Sequence, residues 1–283
     1  MTNLELPSID RTLLAAVLQV AEAAGGDIMA IYADSSRWGT VTKADDSPLT
    51  AADLAAHQRI VDALAQLAGP WAQLPVLSEE SSADELISRH DWPACWLVDP
   101  LDGTKEFIAR NGEFSVNIAL VLDHEAVLGV VHGPATGLSY VAAKGVGSFR
   151  VDASGWRTIR SAALPVVGER PIQLTVSRRH GLQQLAQFEQ AAVAVFGAMQ
   201  SVPAGSAFKI CAVAEGLADA YPRFGPTSEW DTAAAQVVLE MAGGHLVDQQ
   251  GRSFRYNNRN TLLNASFLAV GCEPEQWLSL WPT

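Results

Sequence analysis

Residues 96–107 run Trp96-Leu97-Val98-Asp99-Pro100-Leu101-Asp102-Gly103-Thr104-Lys105-Glu106-Phe107. With Cys95 they begin as a short apolar run, the pattern of a buried strand, and the run ends in an acid. A second carboxylate follows three residues later. Pro100 fixes one backbone torsion between the two acids, and Gly103 permits a tight or left-handed turn just after them. A strand ending in a rigid hairpin of oxygen donors suits hard divalent cations, which take carboxylates and backbone carbonyls, and Leu101 can supply a carbonyl. Thr104 then opens a short helix whose free amides suit a phosphate oxygen. Taken alone, the stretch is equally an Asp-rich turn that caps a helix. Two other places weigh against that. Val76-Leu77 is a short apolar run followed by Ser78-Glu79-Glu80, and Trp230-Asp231 opens a helix much later. Acids at the ends of three buried elements are expected to converge, because carboxylates are rarely buried unless paired or bound to metal.

Upstream of this stretch the spacing predicts two helices. Asp10 caps the first, in which Leu13, Leu14, Val17, Leu18, Ala21 and Ile28 recur at helical intervals. The second starts near Thr50, where Thr50-Ala51-Ala52-Asp53 has the form of a capping box; Asp53 is there the N3 partner of the cap. Downstream, Ser115–Leu122, Ala126–His132, Leu138–Ala142 and Ser148–Val151 read as a meander of antiparallel strands. Turn signals at Asp123-His124, Gly133-Pro134 and Lys144-Gly145 separate them. After about Pro165 strands and helices alternate. The predicted pairs are Ile172–Val176 with Leu182–Phe196, Met199–Val202 with Ala207–Glu215, and Ala218–Tyr221 with Thr232–Ala242. Leu246–Asp248 and Phe267–Val270 are the last strands. The expected class is α/β with an α+β N-terminal part: residues 1–165 carrying an antiparallel sheet and most of the acids, residues 166–283 an α/β unit completing the site.

Composition narrows the function. The chain has 283 residues, 48% hydrophobic and 18% charged, which fits a folded protein of one or two domains. The formal net charge of −12, from 31 acidic and 19 basic residues, argues against non-specific binding to nucleic acid polymers or anionic membrane. A phosphate-bearing ligand therefore needs cations gathered locally. Cys95, Cys211 and Cys272 are far apart and odd in number, so reduced thiols in a cytoplasm are expected rather than a disulfide framework or zinc knuckle. The N-terminal residues lack the pattern of a signal peptide. The stretch from Ala126 to Ala143 has no Asp, Glu, Lys or Arg, but Gly129, His132, Gly133 and Pro134 break it, and no integral membrane segment is expected there. Peripheral association with a membrane and the oligomeric state are left open.

Leu77-Ser78-Glu79-Glu80, Asp99-Pro100-Leu101-Asp102-Gly103-Thr104 and Trp230-Asp231-Thr232-Ala233-Ala234 together resemble the lithium-sensitive, magnesium-dependent phosphatases related to inositol monophosphatase. Order and spacing fit over nearly the whole chain. The resemblance implies a layered α-β-α-β-α sandwich and two or three Mg2+ ions held by Glu79, Asp99, the Leu101 carbonyl, Asp102 and Asp231. It implies that Asp53 and Thr104, with Glu79, serve the attacking water. Within that family, Lys105-Glu106-Phe107, Gly205-Ser206-Ala207-Phe208-Lys209, Ala214-Glu215-Gly216 and Tyr221-Pro222-Arg223-Phe224-Gly225-Pro226-Thr227 look like the 3′(2′),5′-bisphosphate nucleotidases of the CysQ type. So does Val176-Ser177-Arg178-Arg179-His180, although that group more often has a small residue where Arg179 stands.

The substrate implied is adenosine 3′,5′-bisphosphate, hydrolysed to AMP and phosphate, with the sulfated form as a second substrate. Substrate contacts are expected from Gly103, Thr104, Lys105, Ser177, Arg178, His180, Ser206, Lys209, Arg223 and Asp231. Arg178, Arg179, Lys209 and Arg223 are the candidates for a second phosphate, each also readable as surface charge. His180 would meet adenine by the resemblance and, as a lone histidine after a strand, is equally readable as a helix-start or core residue; Lys43 would sit on a polar loop beside the metals. Three alternatives stand beside this reading: an inositol or sugar monophosphatase of the same fold, a non-catalytic divalent-metal binding protein, and a two-carboxylate glycosidase. The last is weakened because four or five acids, not two, fall on the motifs.

Overall fold

The computed structural model describes residues 6–42, 48–176 and 181–282. The first half comprises α1 (Arg11–Tyr32), β1 (Val41–Thr42), β2 (Pro48–Leu49), α2 (Ala51–Leu64), β3 (Val76–Ser78), α3 (Ala83–Ser88), β4 (Ala94–Asp102) and α4 (Thr104–Ile108). Then follow β5 (Ser115–Leu122), β6 (Glu125–Gly133), β7 (Leu138–Ala143), β8 (Gly147–Asp152) and β9 (Gly155–Thr158). The remainder is β10 (Ile172–Leu174), α5 (Leu182–Phe196), β11 (Met199–Ser201), α6 (Phe208–Ala214), β12 (Ala220–Arg223), α7 (Glu229–Met241), β13 (His245–Asp248), β14 (Phe267–Val270) and α8 (Pro274–Leu278).

Strands β3 to β9 form a seven-stranded sheet in sequence order, antiparallel except for the β3–β4 pair. A five-stranded sheet runs β11-β10-β12-β14-β13; β10 is parallel to β11 and β12, while β14 is antiparallel to its neighbours. Alternation along the strands divides the core. Trp96, Val98, Val116, Ile118 and Val130 face α1 and α2 in one cluster. Leu97, Ala119, Val121 and Val131 face α6, α7 and one side of the second sheet. Ile172, Leu174 and Leu268, on its other side, pack on Phe188 and Phe196 of α5 and Trp277 of α8. The result is the expected α-β-α-β-α order of layers. Helix α1 is long and apolar enough to cross a membrane by length and composition, but Leu14, Val17, Ala21 and Ile28 are buried in the protein's own core.

Several boundaries differ from the sequence reading. β4 continues through Asp102 instead of stopping at the first acid. α7 begins at Glu229, capped by Ser228, not at Thr232. α6 spans Phe208–Ala214, one residue shorter at each end, and β11 stops at Ser201. β10 stops at Leu174, and the third strand of the second half is shifted to Ala220–Arg223. The short elements β1, β2, α3, β9 and α8 were not expected. Each has too few apolar positions to show a period, although Ser82 and Glu85 form a capping box on α3 and Pro274 opens α8.

Candidate active site

The stretch from Asp99 to Asp102 contains a β-bulge. Asp99 pairs with Asn117 and Asp102 with Ser115, so β4 uses one residue more than β5 over this interval. In a regular strand residues three apart point to opposite faces; one inserted residue restores them to the same face. The insertion falls at Pro100, which has no N–H for the ladder, and Leu101, whose side chain turns into the α1–α2 core. The Leu101 N–H donates to Asp99 Oδ1 at 3.0 Å. Gly103 follows with φ +93°, the left-handed turn that lets α4 start immediately. The third acid, Asp231, comes from the first turn of α7. Its Oδ2 accepts from the Ser228 N–H at 2.8 Å, which completes a capping box.

Asp99, Asp102 and Asp231 each offer an oxygen, and all three oxygens lie within 4.8 Å of one another. Burial, then the charges of Glu79, Asp102, Asp231 and Asp53, hold Asp99 well above the usual carboxylate range. Burial pushes Asp102 up to about 6, opposed by the Lys209 ammonium, and burial with the Asp102 charge pushes Asp231 up to about 8. Three carboxylates that resist ionising together are a donor set made for a hard cation, which restores the charge balance. Glu79 lines the same cleft, of about 570 Å³, together with Leu101, Gly103, Thr104 and Lys105.

Asp53 caps α2 and also reaches Thr104. Its Oδ2 accepts from the Thr50 N–H and Oγ at 2.7 and 2.6 Å, completing the cap of α2, while Oδ1 accepts from Thr104 Oγ at 3.1 Å. Burial raises its pKa against the pull of the Thr50 and Thr104 hydrogen bonds. A narrower annex of about 90 Å³ opens beside Asp102 and Asp231, lined by Ser206, Lys209, Tyr221 and Arg223. Ser206, expected to touch substrate, has its Oγ 2.9 Å from both the Asp102 and Glu113 carbonyl oxygens, and so joins this loop to the acidic hairpin. Ser177, Arg178, Arg179, His180 and Lys43 lie outside the described residues.

The sequence reading missed Ser115 and Asn117. Asn117 Nδ2 donates to Asp102 Oδ2 at 3.4 Å; Ser115 Oγ lies 3.4 Å from that oxygen and 2.9 Å from Asn117 Oδ1. Both are buried on the inward face of β5, and two polar residues at alternate positions of an apolar strand were the available signal.

Comparison with known proteins shows the family. The model of the inositol monophosphatase family matches residues 10–277. The chain belongs to the inositol monophosphatase family. It is 43% identical over 258 residues to the 3′(2′),5′-bisphosphate nucleotidase CysQ of Escherichia coli K12, covering 90% of this chain and 98% of that one. It is 32% identical over 274 residues to the CysQ nucleotidase of Haemophilus influenzae, covering 97% and 98%. The crystal structure of CysQ from Bacteroides thetaiotaomicron superposes with a TM-score of 0.78 at 36% identity, over 93% of this chain and 98% of that one. The family is metal-dependent, and the acidic triad is a fitting place for the metal.

Proposed function

We propose that this chain is a magnesium-dependent 3′(2′),5′-bisphosphate nucleotidase that hydrolyses the 3′-phosphate of adenosine 3′,5′-bisphosphate to give AMP and phosphate. The sulfated analogue is a second substrate, and the cytoplasm is the site of action. One observation carries the reading: the Asp99–Asp102–Asp231 triad stands beside the Asp53–Thr104 pair in a chain 43% identical to nucleotidases of that name.

Glu79, Asp99, the Leu101 carbonyl, Asp102 and Asp231 would hold two or three Mg2+ ions. Magnesium, if held there, would lower the pKa of water, neutralise phosphate charge and stabilise the leaving alkoxide. The chain's own part is orientation and proton transfer. Thr104 Oγ donates to Asp53 Oδ1, which leaves a lone pair on Oγ to accept a proton from the attacking water. Asp53, its pKa raised by burial, is the base behind that hydroxyl. The turn from Gly103 to Lys105 presents backbone N–H groups to the scissile phosphate. In-line attack requires no covalent intermediate with the protein. Lys209 and Arg223, at the annex beside the triad, supply positive charge for the second phosphate.

The test is phosphate release from adenosine 3′,5′-bisphosphate and from inositol 1-phosphate, each with magnesium and with excess EDTA. The expected result is a higher specificity constant for the bisphosphate and none of the activity in EDTA. A preference for inositol 1-phosphate would replace this reading with a monophosphatase. Full turnover in EDTA would remove the metal from it.

A further inference from the structure

Glu229 is the first residue of α7 and is fully buried, two positions before Asp231. Its carboxylate accepts from the Asn257 N–H at 2.6 Å and from Arg259 Nη2 at 3.1 Å. Arg89, itself buried, grips the same segment from the other side. Its guanidinium donates to Asn257 Oδ1 at 2.9 Å and to the carbonyls of Arg259 and Asn260 at 2.7 and 2.8 Å, and its own carbonyl accepts from Asn257 Nδ2 at 2.7 Å. The segment 257–264 is also bound to the helix cap. Glu229 N–H donates to the Leu262 carbonyl at 2.8 Å, and Asn264 Nδ2 donates to the Ser228 carbonyl at 2.7 Å.

One of these contacts, from Asn264 Nδ2, holds the carbonyl of Ser228, whose N–H in turn donates to Asp231 Oδ2. Arg89 lies five residues before the start of β4, the strand that ends in Asp99 and Asp102. One buried network therefore links the start of α7 to the segment that leads into β4. A buried ion pair is weak evidence for stability, because desolvation offsets its attraction. Fixing an orientation is the better-supported use of such a group, and acids that repel one another need fixing from outside.

We propose that Glu229, with Arg89, Asn257 and Arg259, positions the Asp231 carboxylate for metal binding. The inference rests on the metal-site reading of Asp231 given above. The test is titration calorimetry of Mg2+ into EDTA-stripped protein, together with the rise in melting temperature on adding Mg2+ and the Mg2+ dependence of turnover. Glu229→Gln, which keeps shape but removes the charge, should weaken Mg2+ binding about tenfold or more. It should shift the Mg2+ concentration for half-maximal turnover by the same factor, with turnover recovering at saturating Mg2+ and the Michaelis constant unmoved. Glu215→Gln is the control, since Glu215 is a largely buried acid bonded to Tyr140, Arg150 and Arg157 away from the cleft. It should lower the melting temperature and leave the Mg2+ titration at wild type. If Glu229→Gln does not fold, Asn264→Ala releases the Ser228 carbonyl from the less buried side and should give the same shift in smaller measure. Wild-type Mg2+ affinity in Glu229→Gln, or in Asn264→Ala where that variant stands in, overturns the inference. Asp231→Asn separates the two readings: if it also leaves Mg2+ binding unchanged, the metal site itself is wrong.

Discussion

Gly129→Ala tests whether the placement of α7 governs the site. Gly129 lies in the middle of β6, beneath α7. A Cβ built there would sit 2.8 Å from the Ala234 carbonyl carbon and 2.9 Å from its Cα, and closer still to its oxygen. Carbon pairs rest at about 3.5–4.0 Å, so helix and strand must separate by roughly 1 Å. Both partners are backbone, and no flexible side-chain end can absorb the shift. Overpacking of this kind costs about 1–3 kcal/mol, a fall in melting temperature on the order of 5 °C. The functional effect should be larger. Ala234 is one turn from Asp231, and a misplacement of about 1 Å costs roughly a hundredfold in rate. Gly26→Ala supplies the contrast. Gly26 lies in α1 with nothing within 4 Å of a built Cβ, and the change should stabilise by about 0.4–1 kcal/mol with full activity. Thermal melts in EDTA and in magnesium, with turnover at saturating substrate, measure both. Wild-type turnover in Gly129→Ala at a lowered melting temperature would refute the link between helix seating and catalysis.

Three further outcomes follow from other parts of the structure. Thr104→Val removes the hydroxyl between Asp53 and the cleft and should lower turnover by about 10²–10⁴-fold while Mg2+ binding by calorimetry stays near wild type. Lys209→Ala should weaken the bisphosphate by roughly 1.5–3 kcal/mol, one to two decades in specificity constant, and barely affect a small monophosphate; equal losses on both would remove Lys209 from the second-phosphate site. His132, buried beside Ser139, has its pKa pushed down to about 4 by burial. Between pH 6.5 and 4 the unfolded chain takes up a proton that the native imidazole refuses, so stability falls as pH falls, by up to about 3 kcal/mol. His132→Gln should flatten that part of the urea-midpoint profile between pH 7 and 4.5; an unchanged slope would assign the acid sensitivity elsewhere.

Elements with a strong period were legible from the sequence. Helix α5 was read with its observed limits because Leu185, Phe188, Ala192 and Phe196 repeat on one face that is buried. Strands β5 and β14 were legible for the same reason, each an apolar run closed by turn residues. The cap of α2 was visible because its chemistry is local: Thr50 and Asp53 satisfy each other within one turn. β9 was hidden because, of its four residues Gly155–Thr158, only Trp156 is strongly apolar. The bulge at Pro100 was legible only as a rigid turn. That it restores Asp99 and Asp102 to one face depends on the register of β5, which residues 99–102 do not encode.

The same distinction separates the three acids from what holds them. Asp99, Asp102 and Asp231 announce themselves by residue type at the end of a buried strand and the start of a buried helix, since an acid in such a place needs a reason. Their support is distributed. The helix that carries Asp231 rests on Gly129, and its entrance is packed by Arg89 and Asn257, which lie 168 residues apart in the chain and meet only in the folded structure. Arg89 and Asn257 each read as ordinary surface residues in isolation, Arg and Asn being mostly exposed. Their burial follows from the tertiary fold, where segment 257–264 crosses the entrance of α7 and meets the residues leading into β4. The chemistry of the site is thus local in sequence, whereas its precision is a property of contacts between distant segments. Substitutions that leave every acid in place, such as Gly129→Ala and Glu229→Gln, are therefore the sharper probes of how the acids act together.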